Sequence, residues 1–230
     1  NKGTRLIEIK GKKKLKSLKL KVFGDPSSAA FFCALTTINK GSSLKIFNVG
    51  VNLTRIGFYQ LLNKFGAKIK FVNFRKNNNE VYADIAVSHA KLKPIKATKD
   101  YYVKATDEYP ILFVLAGLTK GVSVFKGIED LANKESNRII EMQKILSQVG
   151  IKSKFSSSGL KIFGKGMIDA SKKKILTKNL GDHRICMSTF ILAVLTGAKT
   201  TIKNFETVNT SCPSFLKIMK KLGAKFEIRK

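Results

Sequence analysis

Three imperfect copies of one strand–helix–strand–helix–strand pattern predict an α/β (α+β) fold of three βαβαββ units. The units are expected to surround a pseudo-threefold axis, with buried helices inside and sheets outside. Two spacings carry that expectation. Acidic residues stand ahead of apolar helical runs at Asp25, Asp107 and Asp182, 82 and 75 residues apart. Helix stops of one form (Phe65-Gly66-Ala67-Lys68, Val149-Gly150-Ile151-Lys152, Leu222-Gly223-Ala224-Lys225) place their glycines 84 and 73 residues apart. Such a period exceeds the ~20–50 residues of solenoid repeats. The run after each acidic start is apolar nearly all round, so those three helices belong in the interior.

Taken in order, residues 1–23 read as two short strands, 5–9 and 18–23, joined by Lys10-Gly11-Lys12-Lys13-Lys14. Gly24-Asp25-Pro26-Ser27-Ser28 combines a turn, an N-cap and an early helical proline. An apolar helix over 29–38 follows, then a strand at 44–47, a helix at 54–65, and strands at 67–74 and 81–87 around the turn Asn77-Asn78-Asn79. In the second pass Asp107-Glu108-Tyr109-Pro110 opens a helix to Leu118. A strand at 122–125, a helix from 134–138 to Gly150, and strands at 151–155 and 160–163 complete it. The third pass reads as a helix at 185–195, a strand at 200–203, a helix at 214–222 and a strand at 224–228.

Asn133-Lys134-Glu135-Ser136-Asn137-Arg138 concentrates the chemistry. It puts two cations and a carboxylate at a helix start, with Lys134 and Arg138 on one helical face. Cations oppose the dipole at that end, so they either face solvent or serve an external anion. Equivalent helix starts of different units would gather Asp107, residues 134–138 and residues 182–184, their N-termini jointly forming an anion site. Asp107, taken alone, is either an N-cap ahead of Pro110 or a functional carboxylate. Asp182 is expected to cap its helix and orient its neighbours.

The net charge of +29 invites a nucleic-acid partner, but its make-up argues against a dedicated one. The excess is mostly Lys spread along the chain, and Arg occurs only at positions 5, 55, 75, 138, 184 and 229. Bidentate readers of phosphates and bases favour Arg. The charge would still attract small anionic substrates. No apolar run approaches the ~20 residues of a membrane span. Cys33, Cys186 and Cys212 are too scattered for a disulfide framework or a zinc site, so a packing role and a reducing cytoplasm are expected. The first residue is Asn, within an already strand-like stretch, and the start is expected to be incomplete.

Six segments resemble the 5-enolpyruvylshikimate-3-phosphate synthases: Gly24-Asp25-Pro26-Ser27-Ser28-Ala29-Ala30-Phe31, Asn48-Val49-Gly50-Val51-Asn52-Leu53-Thr54-Arg55-Ile56-Gly57, Asp107-Glu108-Tyr109-Pro110-Ile111, Lys134-Glu135-Ser136-Asn137-Arg138, Asp182-His183-Arg184-Ile185-Cys186-Met187-Ser188 and Thr210-Ser211-Cys212-Pro213-Ser214-Phe215. Each is weak alone; six in order over nearly the whole chain are not. The resemblance implies one lobe of a two-lobed enzyme. Residues 1–23 would be the tail of the other lobe and the approach to a hinge, and residues 24–230 most of the second. The N-terminal half would be absent, the piece alone inactive, and the complete protein a monomer.

The implied reaction moves the enolpyruvyl group of phosphoenolpyruvate onto the 5-hydroxyl of shikimate 3-phosphate, with no metal and no cofactor. Asp107 resembles the carboxylate that accepts the hydroxyl proton, and Glu135 the acid/base at the methylene carbon. Lys134 resembles the catalytic lysine between both substrates, which contacts shikimate 3-phosphate and serves as an acid for the departing phosphate. Arg138 and Arg184 resemble the pair that holds phosphoenolpyruvate, a task suited to the guanidinium fork. Ala132-Asn133 stands where the family shows Arg-Val, and Asn137 where it shows Asp, a change expected to weaken the orientation of Arg138 or Lys134. Cys186 and Cys212 replace the commoner Ala and Phe. The UDP-N-acetylglucosamine enolpyruvyl transferases share the fold and the phosphoenolpyruvate chemistry but lack the 134–138 pattern. A basic nucleic-acid-binding module is the alternative of another class.

Overall fold

The computed structural model describes residues 6–17 and 19–229, and each unit contributes its own sheet. The first unit contains α1 (Pro26–Ile38), β1 (Ser43–Gly50), α2 (Gly57–Lys64), β2 (Lys68–Asn77) and β3 (Glu80–Ser88), with an antiparallel sheet of order β1-β3-β2. The second contains β4 (Lys96–Ala97), α3 (Lys99–Ala105), α4 (Tyr109–Gly117), β5 (Gly121–Phe125), α5 (Arg138–Gln148), β6 (Lys152–Ser156) and β7 (Gly159–Gly164). Its sheet runs β4-β5-β7-β6, parallel only between β4 and β5. The third contains β8 (Lys174–Leu176), α6 (His183–Thr196), β9 (Lys199–Thr201) and α7 (Phe215–Lys221), its two strands parallel. Short 3-10 turns at Thr106–Glu108, Glu129–Asn133 and Phe205–Thr210 lead into α4, α5 and α7.

The three apolar helices, α1, α4 and α6, pack against one another in all three pairings. Every residue of α4 is buried, which a helix apolar on all sides requires. Phe31 and Phe32 of α1 and Phe190 of α6 converge on Phe215 of α7, with ring centroids 5.4–6.5 Å apart. Phe31, Phe113 and Phe215 are fully buried, each contributing about 1.5–3 kcal/mol. The helix stops are built alike in all three units. Gly66, Gly150 and Gly223 have φ of 102°, 84° and 94°, and the next residues, Ala67, Ile151 and Ala224, donate to the carbonyls of Leu62, Leu146 and Met219 at 3.0 Å each. A left-handed glycine and a six-to-one bond form a Schellman closure, which is what the recurring stop signature encodes.

Two bulges, between Ile46 and Val49 and between Val72 and Arg75, flank β3 at Asp84. Asn48 and Asn73 there adopt left-handed φ of 56° and 55°, which Asn tolerates better than most residues. The buried Asp84 accepts bonds from the Asn48 N–H at 3.1 Å, Asn73 Nδ2 at 2.9 Å and Arg75 Nη2, with Lys45 Nζ at 3.6 Å.

Several expectations need correction. Residues 6–17 and 19–23 form no strand, and Arg5 and Leu18 of the expected strands lie outside the described residues. A strand needs partners for its backbone groups. Here only Gly24 bridges, to Val49, while Leu6, Ile7, Ile9, Leu15, Leu20 and Val22 are exposed. The segment is tied down by Phe23, stacked on Tyr82 at 3.8 Å, and by the Lys19 carbonyl, which accepts from Asn78 Nδ2. Residues 224–229 likewise form no strand; Phe226 packs on Phe190 at 5.5 Å, but the backbone finds no ladder. The third sheet instead uses β8, from a lysine-rich stretch without alternation. Among the described residues no helix is long and apolar enough to cross a membrane.

Candidate active site

The starts of α4, α5 and α6 meet on one side of the central helices, and a single arginine joins them. Arg138, the first residue of α5, is 1% exposed although it carries a full charge. Its Nε donates to Asp182 Oδ2 at 3.0 Å, its Nη1 to Asp107 Oδ1 at 3.4 Å and its Nη2 to Glu135 Oε2. Burial works against this charge, but Asp182, then Glu135 and Asp107, overcome it and hold the guanidinium above its ordinary range. Arg184, in the first turn of α6, reaches Asp107 Oδ2 at 3.4 Å. The structure thus brings Asp107, Glu135, Arg138 and Arg184 together, as the repeat implied.

Asp182 organises this group from below. It is fully buried and caps α6: Oδ1 accepts the N–H groups of Arg184 at 3.0 Å and Ile185 at 3.3 Å. Oδ2 takes Arg138 and the Ser136 hydroxyl, the latter at 2.8 Å. One carboxylate therefore closes the helix end, fixes Arg138 and pins the 134–136 loop. Its value comes from having every oxygen lone pair engaged by a donor, two of them on a positive helix end.

That arrangement corrects part of the expected role of helix N-termini. Of the three that meet, α5 and α6 are closed by side chains of the protein, Ile140 N–H by Asn137 and the α6 amides by Asp182, whereas α4 has no side-chain cap among the described residues. At α5 and α6 these capped amides are therefore taken, and side chains are left to meet an external anion. The expectation that Lys134 and Arg138 share a helix face also fails, since α5 begins only at Arg138. Asn137 is the reason. Its Oδ1 accepts the Ile140 N–H at 3.1 Å, an N-cap that ends the non-helical chain there. Asn performs this task as well as Asp, so the departure at 137 leaves Arg138 oriented by its three carboxylates.

Asp107 breaks the threefold rule. Asp25 and Asp182 cap helices, but Asp107 sits one residue ahead of the α4 cap position, and its side chain turns to the two arginines. About half exposed, it can meet a ligand, as can Glu135. Lys134 stands apart. Its amine pairs with Asp130 at 2.6 Å, and Asp130 also accepts from Tyr102 Oη at 2.8 Å. His183, half-buried at the α6 start, is held below its usual range by burial first and Arg184 second.

Arg184 differs from Arg138 in one decisive way. Among the described residues its Nε and Nη1, both buried, have no hydrogen-bond acceptor, while its guanidinium lies 6.0 Å from the Phe31 ring centre. Two buried donors of a permanent cation without acceptors leave it open to an acceptor from outside the described residues. Tyr102, Asp130 and Ser136 were not singled out by the sequence, and neither was Glu108. Its visible signal was a second acid beside Asp107, directly ahead of an all-apolar helix.

Comparison with known proteins identifies the family. The family model for EPSP synthase (3-phosphoshikimate 1-carboxyvinyltransferase) matches residues 1–219. The chain belongs to the EPSP synthase family. A 3-phosphoshikimate 1-carboxyvinyltransferase of Zymomonas mobilis is 37% identical over 231 residues, covering 99% of this chain and 51% of that protein. One from Sphingopyxis alaskensis is 38% identical over 93% of this chain and 48% of that one. The solved EPSP synthase of Acinetobacter baumannii superposes with a TM-score of 0.82 at 33% identity, over 90% of this chain and 47% of that chain. An enolpyruvyl transferase from Streptomyces tendae, 15% identical with a TM-score of 0.64, shares the fold. The chain spans about half the length of the EPSP synthases it matches.

Proposed function

We propose that this chain is one lobe of an enzyme that transfers the enolpyruvyl group of phosphoenolpyruvate to the 5-hydroxyl of shikimate 3-phosphate. Residues 24–230 form that lobe, and residues 1–23 lead to a second, N-terminal one, which completes the cleft in a monomeric protein. The observation that carries the reading is Arg184, with two buried and unpaired N–H groups beside Asp107 and within one cluster with Glu135 and Arg138. A reaction whose substrates carry carboxylate and phosphate groups needs such cations, together with carboxylates free to move protons.

In this reading Asp107 takes the proton of the 5-hydroxyl as that oxygen bonds to the central carbon of phosphoenolpyruvate. Glu135 delivers a proton to the methylene carbon, giving a tetrahedral ketal, then removes one as the carbon–oxygen bond to phosphate breaks and phosphate leaves with the electron pair. Arg184 and Arg138 hold phosphoenolpyruvate. To reach it, Arg138 exchanges part of its contact with Asp107 or Glu135 for the ligand. Lys134 lies between both substrates once its amine leaves Asp130. The three buried, free cysteines suit a reducing cytoplasm.

The test is turnover of both substrates by the full-length protein, followed as phosphate release and enol-ether formation. Glu135→Gln is expected to lower kcat by at least about a hundredfold while sparing substrate binding. Undiminished turnover would remove Glu135 from its role, and no turnover by the unaltered protein would overturn the function.

A further inference from the structure

Glu108 is buried, ionisable and unused by the chemistry above. It ends the 3-10 turn that carries Asp107 and directly precedes α4, yet its side chain makes no capping bond. Only 3% of it is exposed, and among the described residues Oε1 has no hydrogen-bond partner. A carboxylate in that position is costly unless it is paired or protonated. The charged and titratable groups that act on it are Asp25 beside α1, Tyr59 of α2, Asp107 of its own turn and Arg184 of α6. Burial dominates and pushes the carboxyl up to about 7. Ser27 and Arg184 favour its ionised form, while Asp107 and Asp25 oppose it.

Arg184 carries the complementary defect. Its Nε and Nη1 are buried and unpaired, so Glu108 balances the charge without occupying the donors. The N–H groups stay available to a ligand.

We propose that Glu108 is the proton-coupled counter-charge of Arg184, ionised while no anion is bound and protonated when an anion engages the guanidinium. This rests on the reading that Arg184 receives the anionic substrate. A bound anion takes over the compensation of Arg184 and adds negative potential at Glu108, which favours its neutral form. Because the complex binds the proton more tightly, anion affinity falls as pH rises from about 7 towards the higher pKa of the complex. Glu108 touches no reacting atom; it is a positioning residue that acts through Arg184.

Calorimetric titration of the full-length protein with phosphoenolpyruvate near about pH 7.5, in two buffers of different ionisation enthalpy, reads the proton directly. The unaltered protein should take up about half a proton more per anion than Glu108→Gln, whose affinity should also fall less between about pH 6.5 and 8.5. An infrared difference spectrum of the unaltered protein should gain a protonated-carboxyl band on binding, which keeps the test independent of whether the variant folds. Equal proton uptake in the two proteins, or no such band while Arg184→Ala still weakens binding, overturns the coupling alone. Absent binding, or binding indifferent to Arg184→Ala, overturns the anion site and the coupling together.

Discussion

Two buried aspartates hold arginines in this molecule, and they do so to different ends. Asp84 lies between two bulges of the first sheet, where Asn48, Asn73, Arg75 and Lys45 surround it. Its arginine is itself 41% exposed and lies 4.9 Å over the Tyr82 ring, so water and an aromatic face complete the cluster. Asp182 is equally well satisfied, but the arginines around it are buried, and Arg184 keeps two donors unpaired. A cluster that serves the fold closes on itself. One that serves a ligand leaves a defect, and that defect, more than the charge, marks the site.

Removing Asp182 should break this contrast most severely. Asp182→Ala leaves Arg138 buried without its main partner and uncaps α6, so we expect a loss of about 3–5 kcal/mol in denaturant unfolding. A loss below about 1 kcal/mol would show that Glu135 and Asp107 suffice for Arg138. Arg184→Lys should act on the open cluster in another way. The charge remains and the fork is lost, so phosphoenolpyruvate binding should weaken about tenfold or more in calorimetry, with little change in unfolding. Unchanged affinity would mean that the unpaired donors do not meet the ligand.

The smallest effect is expected at Asp84. Asn73 first, then the Asn48 amide and Arg75, hold its carboxyl at about 2, below its unfolded value of about 3.9. The stabilisation is therefore complete above about pH 4 and is lost as pH falls through about 2. In urea titrations, Asp84→Asn should flatten that part of the stability curve and leave anion binding untouched. A curve identical to that of the unaltered protein would remove Asp84 from the acid response.

The repeat was legible because it is local. A Gly in a fixed frame of apolar residue and Lys encodes a Schellman closure by itself, and an all-apolar helical run encodes an interior helix wherever its neighbours lie. The Asp182 cap was legible for the same reason. What escaped depends on partners distant in sequence. Whether Asp107 caps a helix or faces an arginine is decided by where α5 and α6 dock, and the pairing of Lys134 with Asp130 by how the 3-10 turn folds back. The alternation in residues 6–23 has the period of a strand, but a strand also needs a backbone partner, which no local pattern supplies. Asn137 is a local signal too. Asn is among the best N-cap residues, so the helix start at Arg138 is written in the sequence.

The position of Arg138 also bears on folding order. Its carboxylates come from the turn before α4, the loop before α5 and the cap of α6, and Arg184 rests near Phe31 of α1. No single unit holds all these parts, so a nascent or half-collapsed chain presents scattered charges where the docked one presents a receptor. The cluster is thus a certificate of finished assembly: it exists only after the last unit has taken its place beside the others.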